Sequence, residues 1–204
     1  MTTAFERELW KTTEFICGVD EVGRGPLAGA VVAAAVMFEK NFAPRGNLRF
    51  VSDSKRLDSA LREALDQEIR QTALAVGVGS VEPEIIDHVN ILQATFLAMN
   101  QAIEQLSPTP QLLLIDGNRF KPALPISYQT IVKGDTKVFS IAAASIVAKV
   151  HRDKLMKELH TEFPEYGFDS HFGYPVPAHI EAIRKYGRSA VHRKSFKLAA
   201  LGEK

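Results

Sequence analysis

A single cysteine, Cys17, stands in 204 residues, so the chain has no intrachain disulfide available to it. Its place inside the apolar run "FICGV" marks it as a small buried side chain rather than a reactive thiol. No stretch approaches the ~18 uncharged apolar residues that a membrane span requires. The opening MTTAFERELW has neither the basic nor the apolar segment of a secretory leader, so a soluble cytoplasmic protein is expected. Low-complexity tracts, internal repeats and blocks of like charge are also missing, which excludes repeat arrays and argues against disorder outside the termini. Net charge is only +1, so the chain is not a uniformly basic nucleic-acid binder.

What remains is an ordinary globular composition, 46% apolar and 24% charged. At this length one domain can bury roughly 70% of its unfolded surface. The charge is unevenly spread. Residues 1–132 carry 12 Lys and Arg against 16 Asp and Glu, whereas residues 133–204 carry 13 against 8 and hold five of the six histidines. The basic end is the one suited to a polyanion, although a solvated mixed surface accounts for most imbalances of this size.

Periodicity predicts strands over 15–20 and 29–38, paired as a hairpin across the turn at Gly25 and Pro26, then a helix over 59–72 capped by Asp58 or Ser59. A third strand follows at 74–81. Ile85, Val89, Leu92, Phe96, Met99, Ile103 and Leu106 recur at alternating spacings of four and three, which predicts one helix with a single apolar seam. "PQLLLIDG" (110–117) and "PISYQTIVKGD" (125–135) read as strands that each end on a carboxylate. A long alanine-rich helix comes next, then the loop "PEYGFDSHFGYPVP", a short helix "AHIEAIRKYG" and an irregular basic tail. The class is α/β, with a main unit over 1–163 and a small helical extension over 164–204.

Asp20, Glu21, Asp116 and Asp135 each fall at the C-terminal end of an apolar run, the edge where sheets with parallel strands bind ligands. Four converging carboxylates repel one another unless a cation is present. An all-oxygen set without sulfur or imidazole suits Mg²⁺ or Mn²⁺ rather than zinc. Two such ions about 3.5–4 Å apart can activate water and stabilise the leaving oxygen of a phosphodiester. Singly, Asp116 also reads as the start of a turn and Asp135 as a helix cap. Asp20 and Glu21 are neighbours on a strand and should point to opposite faces. Either the strand ends at Asp20, the principal bridging ligand, or Glu21 acts through its backbone carbonyl or a water.

The glycines around Arg24 do not match a dinucleotide loop, because the spacing is one residue out and a strand, not a helix, follows. Gly23 and Gly25 instead let the backbone approach a sugar or phosphate, with Arg24 as a phosphate partner. Ser54, Lys55 and Lys149 are further candidate phosphate contacts, set against the ordinary reading of lysine as a solubilising charge. Tyr174 can stack on a sugar or base, or pack as a lid over the core. His171, His192 and Arg193 add positive or switchable charge nearby.

Taken together, "GVDEVGRGPLAG", "DSKRL", "NILQAT", "LLIDGN", "KGDTKVFSIAAASIVAKVHRD" and "HFGYPVPAHIEAIRKYG" with "HRKSF" resemble bacterial ribonuclease HII, the type 2 ribonuclease H, over residues 15–197. The resemblance implies a ribonuclease H-like fold with a central mixed five-stranded sheet. It also implies an Mn²⁺- or Mg²⁺-dependent endonuclease that acts on the RNA strand of RNA/DNA hybrids and 5′ to single ribonucleotides in duplex DNA; a monomer is expected. Asp20, Glu21, Asp116 and Asp135 would be its metal-binding acids. Gly23, Arg24 and Gly25 would read the ribose 2′-OH, and Tyr174 would stack at the RNA-to-DNA junction, with Ser54, Lys55, Lys149, His171 and Arg193 as other substrate contacts. Val176 stands where threonine is usual, and Lys194 where a second arginine is common. A non-catalytic nucleic-acid-binding module and a DNA nuclease of the same superfold are the competing readings.

Overall fold

The computed structural model describes residues 1–52, 54 and 57–203. Its centre is one five-stranded sheet in the order β3-β2-β1-β4-β5. Strands β1 (Ile16–Val22) and β2 (Val31–Met37) pair antiparallel from Cys17–Met37 to Val22–Val32. Strand β3 (Ala75–Val81) continues antiparallel on β2, whereas β4 (Leu112–Asp116) and β5 (Ser127–Ile131) run parallel to β1 on its other side. The sheet is therefore mixed, as expected.

β2 reads VVAAAVM and is buried at every position, because helices cover both faces of the sheet. Val31, Ala33 and Ala35, with Cys17 and Val19 of β1, face one layer of helices. Val32, Ala34 and Val36 face the other, formed by α2 (Ser59–Thr72) and the long α5 (Phe139–Glu162). Asp58 caps α2, its carboxylate accepting the Leu61 N–H at 2.9 Å.

The first layer departs from expectation. In place of one helix the chain forms α3 (Pro83–Val89) and α4 (Ile91–Glu104), broken at Asn90, whose φ is 72°. Asn90 combines this positive φ with an extended ψ of 163°, a conformation L side chains rarely adopt, and its side chain accepts the N–H groups of Leu92 and Gln93 to start α4. The buried stripe shifts with the break: Ile85 is 45% exposed, while Ile86, Ala94, Ala98 and Ala102 are covered. Small residues on both sides bring α4 onto β3. A Cβ at Gly79 would sit 2.1 Å from the Ala98 carbonyl oxygen, and one at Gly77 2.0 Å from that of Ala102.

An N-terminal helix, α1 (Ala4–Leu9), was not indicated by any periodic pattern. Its buried Glu6 accepts the Ser140 N–H at 2.8 Å and Oγ at 3.0 Å, and so caps α5 from outside. The predicted loop after α5 contains a 3₁₀ turn (Pro164–Tyr166) and a short α6 (Phe168–His171) before α7 (Pro177–Tyr186). Tyr166, Phe168 and Ile183 pack with Leu27, Ala28 and Met156, so the C-terminal segment sits against the loop between β1 and β2. Cys17 is fully buried, as read from its neighbours. Among the described residues no helix is long and apolar enough to cross a membrane.

Candidate active site

The sheet delivers three carboxylates to one point. Asp20, Glu21 and Asp116 each place an oxygen within 4.8 Å of the others. Alternation holds: Asp20 lies on the α5 side of β1, and Glu21 opens toward Leu92, Thr95 and Phe96 of α4. Two expectations about Glu21 are corrected. β1 runs past both acids to Val22, and the Glu21 carboxylate itself reaches the cluster. The reason is local, since the ladder to β4 stops at Val19–Ile115, and on that side of β1 no strand is paired with Asp20 and Glu21, while β2 still flanks them on the other.

Asp135 requires another correction. β5 stops at Ile131, and Lys133, with φ 56°, turns the chain into a 3₁₀ turn (Gly134–Thr136) that carries Asp135. The Gly134 N–H donates to Asp116 Oδ1 at 2.6 Å, which ties this turn to the acids. Asp135 lines the same cleft but stands outside the three-carboxylate cluster.

Burial raises the Asp20 carboxyl well above the usual range, and the charges of Glu21 and Asp116 add to it. Ser145 and the Glu21 N–H, which donates to Asp20 Oδ1 at 2.7 Å, oppose the rise. Burial also raises Glu21, against the pull of Arg24, whose guanidinium lies 3.3 Å from its carboxylate. A cluster of mutually repelling, partly desolvated carboxylates is the donor set that a hard divalent cation satisfies, so the residues fit such an ion.

The acids line a cleft of about 550 Å³ together with two cationic side chains, Lys149 and Arg62. These two share Asp153, at 2.7 Å and 3.6 Å. Ser54 lies there too, nearly buried, with its hydroxyl 2.9 Å from that of Ser145. Tyr174 closes one end, 37% exposed, close enough that a Cβ on Gly25 would touch its ring at 3.6 Å. Arg62, Ser145 and Asp153 were missed in the sequence; the four-residue spacing of Lys149 and Asp153 was the available signal for that pair. Lys55 lies outside the described residues.

Beside the cleft, Gly23 is buried with φ 89°, while Arg24 and Gly25 are exposed. Two fully buried guanidinium groups hold this loop from beneath. Arg193 donates to the carbonyls of Gly23, Arg24 and Gly29, and Arg152 to those of Ala28, Ala30 and Phe172. Arg193 is therefore not placed to touch substrate, because its donors are spent on backbone. His171 is also engaged internally, one ring nitrogen 2.7 Å from the Tyr166 carbonyl and the other accepting the Gly173 N–H. His192 supplies no positive charge near neutrality: burial lowers it to about 4, and its Nε2 lies 3.1 Å from that of His179. Arg152 went unnoticed because an arginine in the charged second half of a helix reads as solvated.

The ribonuclease HII family model matches residues 17–199. The chain belongs to the ribonuclease HII family. Across its full length it is 65% identical to the ribonuclease HII of Chloroherpeton thalassium, with both chains covered completely. Its fold resembles the ribonuclease H2 of Pyrococcus horikoshii OT3, with a TM-score of 0.74 and 28% identity over 92% of this chain and 95% of that one. Bst-RNase HIII shares the fold alone, at a TM-score of 0.67 and 18% identity over 98% of this chain and 71% of that one. As a member of the ribonuclease HII family, the protein has the ribonuclease H-like fold and is a nuclease, a metal-dependent hydrolase, with Asp20, Glu21 and Asp116 as a possible metal site.

Proposed function

We propose that this protein hydrolyses the RNA strand of RNA/DNA hybrids and incises duplex DNA 5′ to single embedded ribonucleotides, leaving 3′-OH and 5′-phosphate ends. Removal of misincorporated ribonucleotides and RNA primers is the corresponding role. The observation that carries this reading is the meeting of Asp20, Glu21 and Asp116 in a cleft that the cationic Lys149 and Arg62 also line. Mg²⁺ or Mn²⁺, held there by these acids with Asp135 nearby, would supply activation of water and neutralise charge on the leaving oxygen.

The rest falls to the chain's own residues. Asp20, 5% exposed and accepting the Glu21 N–H, is the most buried of the acids and would be the principal residue to hold the ion. Lys149 and Arg62 hold the phosphates of the bound strand in the cleft, which Ser54 also lines. The exposed backbone of Arg24 and Gly25 lies beside Tyr174, so a 2′-OH read by the one adjoins a sugar stacked on the other. On this reading residues 1–163 carry the acids, and the 164–204 segment contributes Tyr174 and the support for the loop.

The deciding experiment is cleavage of an end-labelled DNA duplex containing one ribonucleotide, with Mg²⁺ or Mn²⁺, with chelator, and beside an all-DNA control. Metal-dependent cutting confined to the 5′ side of the ribose is expected, lost in Asp116→Asn. Cutting of the all-DNA control would overturn the ribose selectivity. In Tyr174→Ala, cleavage at a lone ribonucleotide should fall more than cleavage of a long hybrid.

A further inference from the structure

The loop between β1 and β2 is held by two arginines with different targets. Both are fully buried, and both bond only to backbone carbonyls and, for Arg152, the Met156 sulfur. Arg152 bonds the rear of the loop, at Ala28 and Ala30, and packs beneath Gly23, where a Cβ would meet its Nε at 2.3 Å, without bonding the Gly23 or Arg24 carbonyl. Arg193 also reaches the front, donating to Gly23 at 2.6 Å and to Arg24 at 3.1 Å.

A trans peptide unit is planar, with its C=O and the following N–H pointing in opposite directions. The Gly23 carbonyl points inward at Arg193, so the Arg24 N–H points away from it; the inward Arg24 carbonyl likewise sends the Gly25 N–H away. Both residues are exposed, and neither N–H has an acceptor among the described residues. Two consecutive amide donors thus face out of the protein beside Tyr174.

We propose that Arg193 is a positioning residue for ribose recognition: by pinning the carbonyls of Gly23 and Arg24 it aims the amides of Arg24 and Gly25 at the sugar hydroxyl of a bound ribonucleotide. The proposal rests on the nuclease reading above and adds a residue that touches no substrate. Without the guanidinium, the two carbonyls lose their donors and the peptide units are free to turn acceptors outward. Lysine at this position keeps the charge but lacks the planar fork that serves three carbonyls at once.

The test compares affinities on an Asp116→Asn background with Mg²⁺, using a duplex with one ribonucleotide and an all-DNA duplex of the same sequence. Arg193→Lys should leave all-DNA binding unchanged and weaken ribonucleotide binding, so that the selectivity ratio falls about tenfold, the scale of one or two lost hydrogen bonds. Arg152→Lys, which disturbs an equally buried cluster behind the same loop, should keep the ratio. An unchanged ratio in folded Arg193→Lys, or an equal fall in both variants, would overturn the proposal. Should Arg193→Lys not fold, amide resonances of the Asp116→Asn protein decide: Arg24 and Gly25 should shift with the ribonucleotide duplex and not with DNA, and equal shifts count against the idea. Equal binding of both duplexes by Asp116→Asn alone would instead remove the ribose-selective reading itself, and this proposal with it.

Discussion

Asp153 is the shared counter-ion of Lys149, one turn before it on α5 at 2.7 Å, and of Arg62, which reaches its other oxygen from α2 at 3.6 Å. Burial lowers the Lys149 ammonium below its ordinary value, and Asp153 is what opposes that drop. Replacing Asp153 with alanine leaves two largely buried cations facing each other. The expected cost is about 3 kcal/mol of stability, read from urea unfolding, because removal of one partner strands the others. Substrate KM should rise in parallel, with a smaller change in kcat, since the cations lose orientation while the acids do not.

The metal-free protein should gain stability when Asp20 is changed to Asn. The Asp20 and Glu21 carboxyls are raised, so the folded state holds protons more tightly than the unfolded one. Their contribution is fully present below the unfolded pKa and is lost as pH rises through the folded values. At neutral pH the acids therefore oppose folding until a cation binds. Relief of about 1 kcal/mol would raise Tm by roughly 2–4 °C in chelator. Mg²⁺ should stabilise the unmodified protein more at pH 7.5 than at pH 5, and Asp20→Asn should abolish that gain along with activity.

Acid should loosen the C-terminal segment. His179 and His192 are both lowered to about 4 by burial. Their facing nitrogens, 3.1 Å apart, share one proton, and a second would oppose two N–H groups. The unfolded state takes up protons first, near pH 6.5, so stability falls from there toward pH 4. Urea midpoints measured over that window should drop, and His192→Gln should flatten the profile.

Gly79→Ala should be costly although its backbone is ordinary. The new methyl would meet the Ala98 carbonyl oxygen at 2.1 Å, and a helix backbone cannot rotate out of the way as a side chain can. Overpacking of this kind costs about 1–3 kcal/mol. The same substitution at the exposed Gly25, which meets only the Tyr174 ring at 3.6 Å, should leave Tm nearly unchanged.

What could be read without the structure followed from short-range pattern. The strands, the cap at Asp58 and three of the four acids lie where apolar runs meet polar residues. The break at Asn90 was hidden, because a helical period continues across a single residue that changes direction; the asparagine in "HVNIL" was the only mark of it. Asp135 was misplaced by four residues for a similar reason, since nothing in "TIVKGD" separates a strand end from a turn. Arg193 was misread most fully. An arginine in a basic tail looks solvated, and only its partners, 164 to 170 positions earlier, make it a core residue.

That separation has a consequence for how the protein matures on the ribosome. Synthesis proceeds from the N-terminus. The carboxylates and the whole sheet are therefore made before residue 193, and the loop at Gly23 waits for a clasp made 170 positions later. A nascent chain thus holds all of its acids before the guanidinium that bonds the Gly23 and Arg24 carbonyls exists. On the proposed role of Arg193, the aim of the Arg24 and Gly25 amides therefore depends on a part of the chain made long after the acids.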